Sequence, residues 1–537
     1  MHLDDVVRCE IHPSIGIARV GDSPDGFFLG PEAPGIPPRP DGGFKDSVGR
    51  IKRQAARFRV YGYDRDGNVL GEITSAEAQI TWTAELANAK GMWFEFAGRF
   101  PQSSNRRNRH IHPADATARA RLAVRPGPRS VSGPSQGGVD ARFDTGTFLG
   151  TPVPLGELRT DEAGRLLVLG GFGKSFSAKP AYPVHHYANN DFWCDDISDG
   201  PVRAILSLGS EGRQVPVTPA WCLVAPPDFA PYTASLITLY DVALEVARAS
   251  GALPTPPEVS FTRDIYPMLA RPVGFAWVNE AARFRHGDRA RNFFEPARFA
   301  RLASNAVADA PMRRAVFSKL RTPGAMDVSQ ANRGFMPLLA ADGDPQDDEP
   351  RTWLTLLPGQ YERMRRWADG DFVADWAGRV PDPVPFDVLP PADQPHALVR
   401  AALEPASGGG FFPGIEMTFI ADEPATWSAP FRLREDLTAG DLTKYMAVPW
   451  QADFYACQTH WWPAARPDEV LPESELDAFL TGAAGAFQEW DRGVGDGKAA
   501  VGMNEMVTKW STLGFIVARP DGSESLVETE RTAPDSP

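Results

Sequence analysis

Glycine and proline set the grain of this chain. It holds 49 glycines and 51 prolines in 537 residues. Each proline removes a backbone donor, and each glycine adds conformational freedom that a helix or strand must suppress. The composition therefore predicts many loops and short strands rather than long helices. The length exceeds one ordinary core, so two or three packed regions are expected. Hydrophobic residues at 42% and charged residues at 23% are globular values and rule out a largely disordered chain.

Charge and cysteine usage exclude several classes of function. A formal net charge of -14 works against a phosphate-backbone partner. The densest basic stretch, Asn105 to His110 with Arg106, Arg107 and Arg109, reads as a solvated loop, and no nucleic-acid partner is expected. Cys9, Cys194, Cys222 and Cys457 are too few and too scattered for a disulfide scaffold, and no CxxC pair occurs. Met1 to Glu10 is polar, without the apolar stretch of a secretory signal, and no run approaches the roughly 18 apolar residues of a membrane span. The expectation is a cytoplasmic protein with no membrane partner, with export by a non-classical route left open.

Local patterns predict an α+β chain. Arg57 to Tyr63 alternates, Asp64 to Asn68 turns with an Asp-Gly pattern, and Val69 to Thr74 returns as the second arm of a hairpin. Glu157 to Thr160 and Arg165 to Leu169 repeat the device around Asp161. Ile80 to Thr83 and Met92 to Phe96 have strand composition. A Pro-rich stretch, Ser250 to Pro257, reads as a linker. The expected division is a β-rich domain over 1–250 and a mixed, more helical domain over 258–537. In the second, helical spacing joins Leu357, Tyr361, Met364 and Ala368, then Leu476, Phe479, Leu480, Ala483 and Phe487, then Met503, Met506, Val507 and Trp510. Phe515 to Ala518 and Ser525 to Val527 suggest a closing hairpin.

Few motifs carry chemistry. The patterns GxGxxG, HExxH and the P-loop are missing, which weakens dinucleotide, zinc-protease and NTPase readings. His185 to Asp196 holds His, Cys and Asp, but the spacing matches no usual zinc signature. It reads as a loop with capped turns, with Asp191, Asp195, Asp196 and Asp199 solvating it, and no metal is expected. Glu416, set between Ile415 and Met417 after the Gly408 to Gly410 run, must be hydrogen-bonded or shifted in pKa if buried. A substrate-pocket role and a satisfied core carboxylate stand level there. In Pro449 to Pro463, a helix would put Asp453 and Cys457, at i and i+4, on one face with aromatic walls around them. The alternative is a Trp-rich core segment with an inert cysteine, and for Trp510 the end of an apolar helical stripe.

At these residues the chain resembles the cysteine tryptophylquinone-dependent amino-acid oxidases, the LodA/GoxA-like family of lysine ε-oxidase and glycine oxidase. The resemblance starts at Ile11 to Ser23. It continues through Asn190 to Trp193, Asp199 to Val202, Ala225 to Pro231 and Phe412 to Glu416, and ends on the Asp453/Cys457 and Trp510 segments. It implies a thioether from Cys457 to the indole of Trp510 and oxygenation of that ring to an ortho-quinone. Asp453 would be the base, with His460 as a weaker candidate, and Phe229 and Glu416 would line the substrate pocket. The implied activity is oxidative deamination of an amino acid or other primary amine with O2, releasing ammonia and hydrogen peroxide. A separate flavoprotein of the LodB kind would complete the modification, and a homo-oligomer is expected. Two alternatives stay open: a cofactor-less homologue acting as a binding or scaffold protein, and a quinone enzyme acting on a peptide- or carrier-bound amine.

Overall fold

A computed structural model of the chain describes residues 2–94, 106–287, 296–324, 326–341, 346–408, 413–457, 459, 463–483, 485–495, 497–519 and 525–532. The first half is built on strands β1 (Arg8–His12), β2 (Ile15–Arg19), β3 (Arg53–Tyr63), β4 (Val69–Ile73), β5 (Ala78–Ala84), β6 (Arg129–Ser132), β7 (Glu157–Thr160), β8 (Leu166–Leu169), β9 (Ser198–Leu208) and β10 (Ala220–Ala225). They join one large sheet in the order β7-β8-β3-β2-β10-β9-β5-β6, with β1 and β4 paired on β3. The central strands β2 and β10 run parallel, from Ile15 opposite Trp221 to Arg19 opposite Ala225. Every residue of both is buried, as expected of strands covered on both faces.

Both expected hairpins form. β3 and β4 meet through a turn in which the Asp64 carboxylate accepts the Asp66 and Asn68 N–H groups. β7 and β8 meet at Asp161, whose carboxylate accepts from Ala163 and Arg165. The chain closes on a third hairpin, Phe515–Ala518 with Leu526–Thr529. Apart from Ala116–Ala120, the α-helices of the described residues follow the strands of the sheet, among them α1 (Leu239–Ala249), α2 (Tyr266–Gly274), α3 (Pro358–Asp369), α4 (Gln394–Leu403), α5 (Trp450–Ala456) and α6 (Ala499–Lys509). The fold is α+β.

One core runs from the sheet into the helical half, taking in Trp82, Trp221 and Phe58 together with Trp450, Phe454, Trp490, Met506 and Trp510. A second, helical core surrounds Phe261, Phe299, Met364 and Trp367.

Four local expectations are corrected. Of the expected strand Met92 to Phe96, Met92 ends a single turn, Lys90–Met92, Trp93 and Phe94 are in no strand, and Glu95 and Phe96 lie outside the described residues. The carbonyls of Met92 and Trp93 are taken by the Arg119 guanidinium at 2.8 and 3.0 Å, so they are not free for a ladder. The stripe after Ser474 is helical only over Leu476–Leu480, and Gly482 turns away with φ 79°. The basic stretch is not a solvated loop at Arg107 and Asn108, which are both 0% exposed. Arg107 reaches the carbonyls of Lys90, Ala188 and Met446 and the Asn189 side chain.

The acidic residues expected to solvate the 185–199 segment are also buried, including Asp195, Asp196 and Asp199. Each is met by donors that water would otherwise supply. Asp199 accepts from Trp221 Nε1 and from the Thr443 N–H and hydroxyl at 3.0, 2.9 and 2.6 Å. Burial pushes its carboxyl up to about 6. Asp195 binds Lys90 Nζ at 2.8 Å, with neither side chain exposed. Lys90 also donates to Ala447 O, and Asp195 accepts the N–H of Trp450, the first residue of α5. The sheet half thus reaches across and holds the 439–450 strap from which α5 starts.

Removing one member of a buried pair strands the other, at a cost of about 3–5 kcal/mol. Lys90→Met should therefore lower the melting temperature clearly. Arg379→Met, which breaks the exposed Arg379–Asp382 pair, should leave it within error. Thermal melts followed by circular dichroism compare the two.

Candidate active site

Helix α5 is short and carries the candidate residues on one face. Pro449 precedes its first turn, and the Asp195 carboxylate at its N-terminus favours the helix dipole as well as satisfying Trp450 N–H. The helix ends at Cys457, whose N–H donates to Asp453 O at 3.1 Å. Trp450, Asp453 and Cys457 stand at i, i+3 and i+7, so they share that face. Asp453 and Cys457 are both buried, at 2% and 5% exposure.

The Asp453 carboxyl has an unusual set of neighbours. Oδ2 pairs with Arg466 Nη1 at 2.9 Å, and that arginine is itself fully buried. Arg466 also donates to the Asp453 backbone carbonyl, so it grips the residue twice. Oδ1 meets no N–H or O–H donor among the described residues. Burial raises the Asp453 pKa above the ordinary carboxylate value, opposed by the Arg466 charge and by a hydrogen bond with the Cys457 thiol. A carboxylate and a thiol are thus coupled out of water, with one carboxylate oxygen available to accept a proton.

Trp510 comes from the opposite direction. It ends α6 and opens a single tighter turn, Trp510–Thr512. At one end of the helix pair its ring meets Trp450 edge to face, with centroids 5.3 Å apart. At the other end, Tyr455 lies against Gly502, where an added Cβ would stand 1.8 Å from the tyrosine Cζ. These contacts set α5 and α6 antiparallel. Just past the indole, Lys45 Nζ holds the Ser511 carbonyl at 2.7 Å and Trp490 Nε1 holds that of Gly514 at 3.1 Å. The benzo edge of Trp510 faces Gly173, which has φ 69°. A Cβ there would stand 2.2 Å from Cζ2 and 2.6 Å from Cη2.

These observations fit a ring-linked quinone. Cys457, Asp453 and Trp510 lie on packed elements, Asp453 Oδ1 is open to a proton, and the missing side chain at 173 leaves room beside the ring.

Phe229 and Glu416 are both interior. Phe229 is fully buried and packs on Trp490, Phe515 and Phe454. Its N–H donates to Ala465 O, and its carbonyl accepts from Ile516 N. It therefore brackets the backbone beside Arg466 and the strand that follows Trp510. Glu416 is 1% exposed and bound to Arg19 Nη2 at 2.7 Å and Ser407 N at 3.0 Å. Both of its carboxylate oxygens are thereby met. His460 lies outside the described residues. Residues 185–190 form turns in which His186 Nδ1 accepts from Ala188 and Asn189 and Asn190 Oδ1 accepts from His185 and His186. None of the four cysteines is in a disulfide.

Sequence reasoning missed Arg466, Gly173, Gln451 and Lys90. Arg466 left one trace, a cation following the small apolar pair Ala464-Ala465 in an otherwise apolar stretch. The others gave none, because their partners lie between 105 and 357 residues away.

Comparison with known proteins gives a consistent result. The family model of the L-lysine ε-oxidase N-terminal region matches residues 12–224, and that of its C-terminal domain matches 339–476. Asp453 and Cys457 fall inside the second span, and Trp510 lies beyond it. An L-lysine 6-oxidase from Marinomonas mediterranea is 27% identical over 97% of this chain and 89% of its own length. The solved ε-lysine oxidase from the same organism superposes with a TM-score of 0.75 at 24% identity, covering 97% of this chain and 95% of that one. A structure of the Schiff base intermediate of that oxidase with L-Lys gives a TM-score of 0.73 at 23% identity, with the same coverage. The two matched spans take in more than half of the sequence, and the chain belongs to the L-lysine ε-oxidase (LodA) family.

Proposed function

We propose that this protein is an amino-acid oxidase whose cofactor, a cysteine tryptophylquinone, is made from Cys457 and Trp510. The observation that carries the reading is the buried Asp453 carboxyl, bonded to the Cys457 thiol on the helix face that also carries Trp450, the neighbour of Trp510. Family membership supports it, and so does the 27% identity to an L-lysine 6-oxidase. A quinone of this kind supplies an electrophilic carbonyl for a primary amine and takes up two electrons as the amine carbon is oxidised.

The chain's own residues supply the rest. Asp453 is the base: Oδ1 accepts the proton, first during formation of the thioether and then from the carbon bearing the amine. Arg466 keeps the carboxyl oriented and favours its charged form against burial. Trp450 and Phe454, themselves packed edge to face at 4.9 Å, exclude water and strengthen the electrostatic contacts inside. Oxygen is the electron acceptor, ammonia and hydrogen peroxide are released, and a separate flavoprotein completes the cofactor. L-lysine is the first substrate to test.

Co-expressed with such a flavoprotein, the protein should be coloured and should show a mass that has lost hydrogens and gained two oxygens. Cys457→Ala and Trp510→Phe should each abolish the colour and amine-dependent peroxide release. An unmodified wild-type mass with no peroxide from any amino acid would sink the reading.

Asp453 gives a pH test with a definite sign. Its pKa already lies above the ordinary carboxylate range, and loss of the Arg466 charge must raise it further. The acid limb of kcat/KM in Arg466→Gln should then move to higher pH, with the greatest loss of rate at low pH and partial recovery as pH rises. A uniform loss at all pH values would instead assign Arg466 to folding alone.

A further inference from the structure

We propose that the loop 171–175 is the positioning element for the Trp510 indole, with Gly173 as its contact point and Gln451 as its anchor. The inference rests on Trp510 being the modified residue. Three observations lead to it.

The first is the contact itself. Gly173 is the backbone neighbour of the benzo edge, with space for no side chain beside Cζ2 and Cη2. Its positive φ adds a second reason for glycine at this site.

The second is the anchoring. Gln451 is fully buried on α5. It donates Nε2–H to the Gly173 carbonyl at 2.9 Å and accepts from Ser175 Oγ at 2.6 Å. From the other side, the Asp196 carboxylate accepts the Lys174 N–H at 3.1 Å and lies where a side chain on Gly171 would go.

The third is the connection between the two halves of the pair. Gln451 is on the same helix as Asp453 and Cys457. A single short helix therefore carries the thiol and also holds the loop that limits where the indole can sit. The loop comes from the sheet half and the indole from α6, so α5 sets their relation. Ring substitution needs the thiol, the carboxylate and the indole aligned within a fraction of an ångström, and misplacement by about 1 Å can cost a hundredfold in rate. A loop fixed at 173 and 451 supplies that alignment before any modification begins.

The test uses the full chain labelled with fluorotryptophan, with Gly173→Ala, Gln451→Ala and the control Gly274→Ala. An added Cβ at Gly274 meets nothing within 4 Å. Fluorine NMR resolves the Trp510 signal among the 14 tryptophans by its loss in Trp510→Phe. That signal should move in Gly173→Ala and in Gln451→Ala and hold in Gly274→Ala. In unlabelled protein co-expressed with the flavoprotein, the fraction of chains carrying the cross-link mass should fall at least about tenfold in Gly173→Ala.

If Gly173→Ala does not fold, Gln451→Ala, which leaves the loop backbone chemistry intact, decides the matter by the same readouts. An unmoved Trp510 signal in the folded variants overturns the proposal, as does maturation at the wild-type level in Gly173→Ala. A wild-type chain that never acquires the mass change would count against the quinone reading, and the fluorine shifts would still judge the loop.

Discussion

The buried pair between Lys90 and Asp195 is the joint on which the arrangement of this molecule depends. Two unit charges held at 2.8 Å with neither side chain exposed are tolerable only if the remaining donors and acceptors are met. Here they are met by both halves of the chain. Lys90 reaches Ala447 O, and Asp195 takes the N–H of Trp450 and the side-chain amide of Asn88. The pair ties the start of α5 to the sheet, and its requirement for geometry becomes a requirement on where α5 lies. Arg107 and Asp199 extend the same logic along the 439–450 strap.

From that joint outward the site is assembled by backbone brackets. Phe229 holds Ala465 on one side and Ile516 on the other, so the chain beside Arg466 and the chain after Trp510 share one support. Lys45 holds Ser511, Gln451 holds Gly173, and Gly502 lets Tyr455 bring α6 close to α5. Each bracket comes from a different stretch of the sequence. Together they bring a thiol, a carboxylate and an indole into one water-poor region, where a raised carboxylate pKa and an open carboxylate oxygen suit proton transfer.

The motif residues of the first half take on a different meaning in this light. Asp195, Asp196 and Asp199 look in the sequence like a solvated acidic loop, because nothing nearby would neutralise them. Their donors come from Lys90, from the 171–174 loop and from Thr443. The same holds for Arg107, which sits in a basic run and is nonetheless buried. Local composition reports the charge of a side chain but not who faces it.

The sequence by itself determined what local spacing governs. The two hairpins with their Asp turns, the closing hairpin and the α5 face that aligns Asp453 with Cys457 all depend on residues within a few positions of one another. The same is true of the stripe ending at Trp510. The order of motifs likewise pointed to the family, and the apolar flanks of Glu416 called for a partner if that carboxylate was buried. Only the tertiary structure decided that Arg466 grips Asp453, that Gly173 abuts the Trp510 ring, that Phe229 is an interior bracket and that an acidic loop is a set of buried anchors. The physical reason is the range of the interactions. Hydrogen-bonded turns and helical faces are set by neighbours in the chain, whereas burial, ion pairing and close backbone approach depend on partners that only folding brings near.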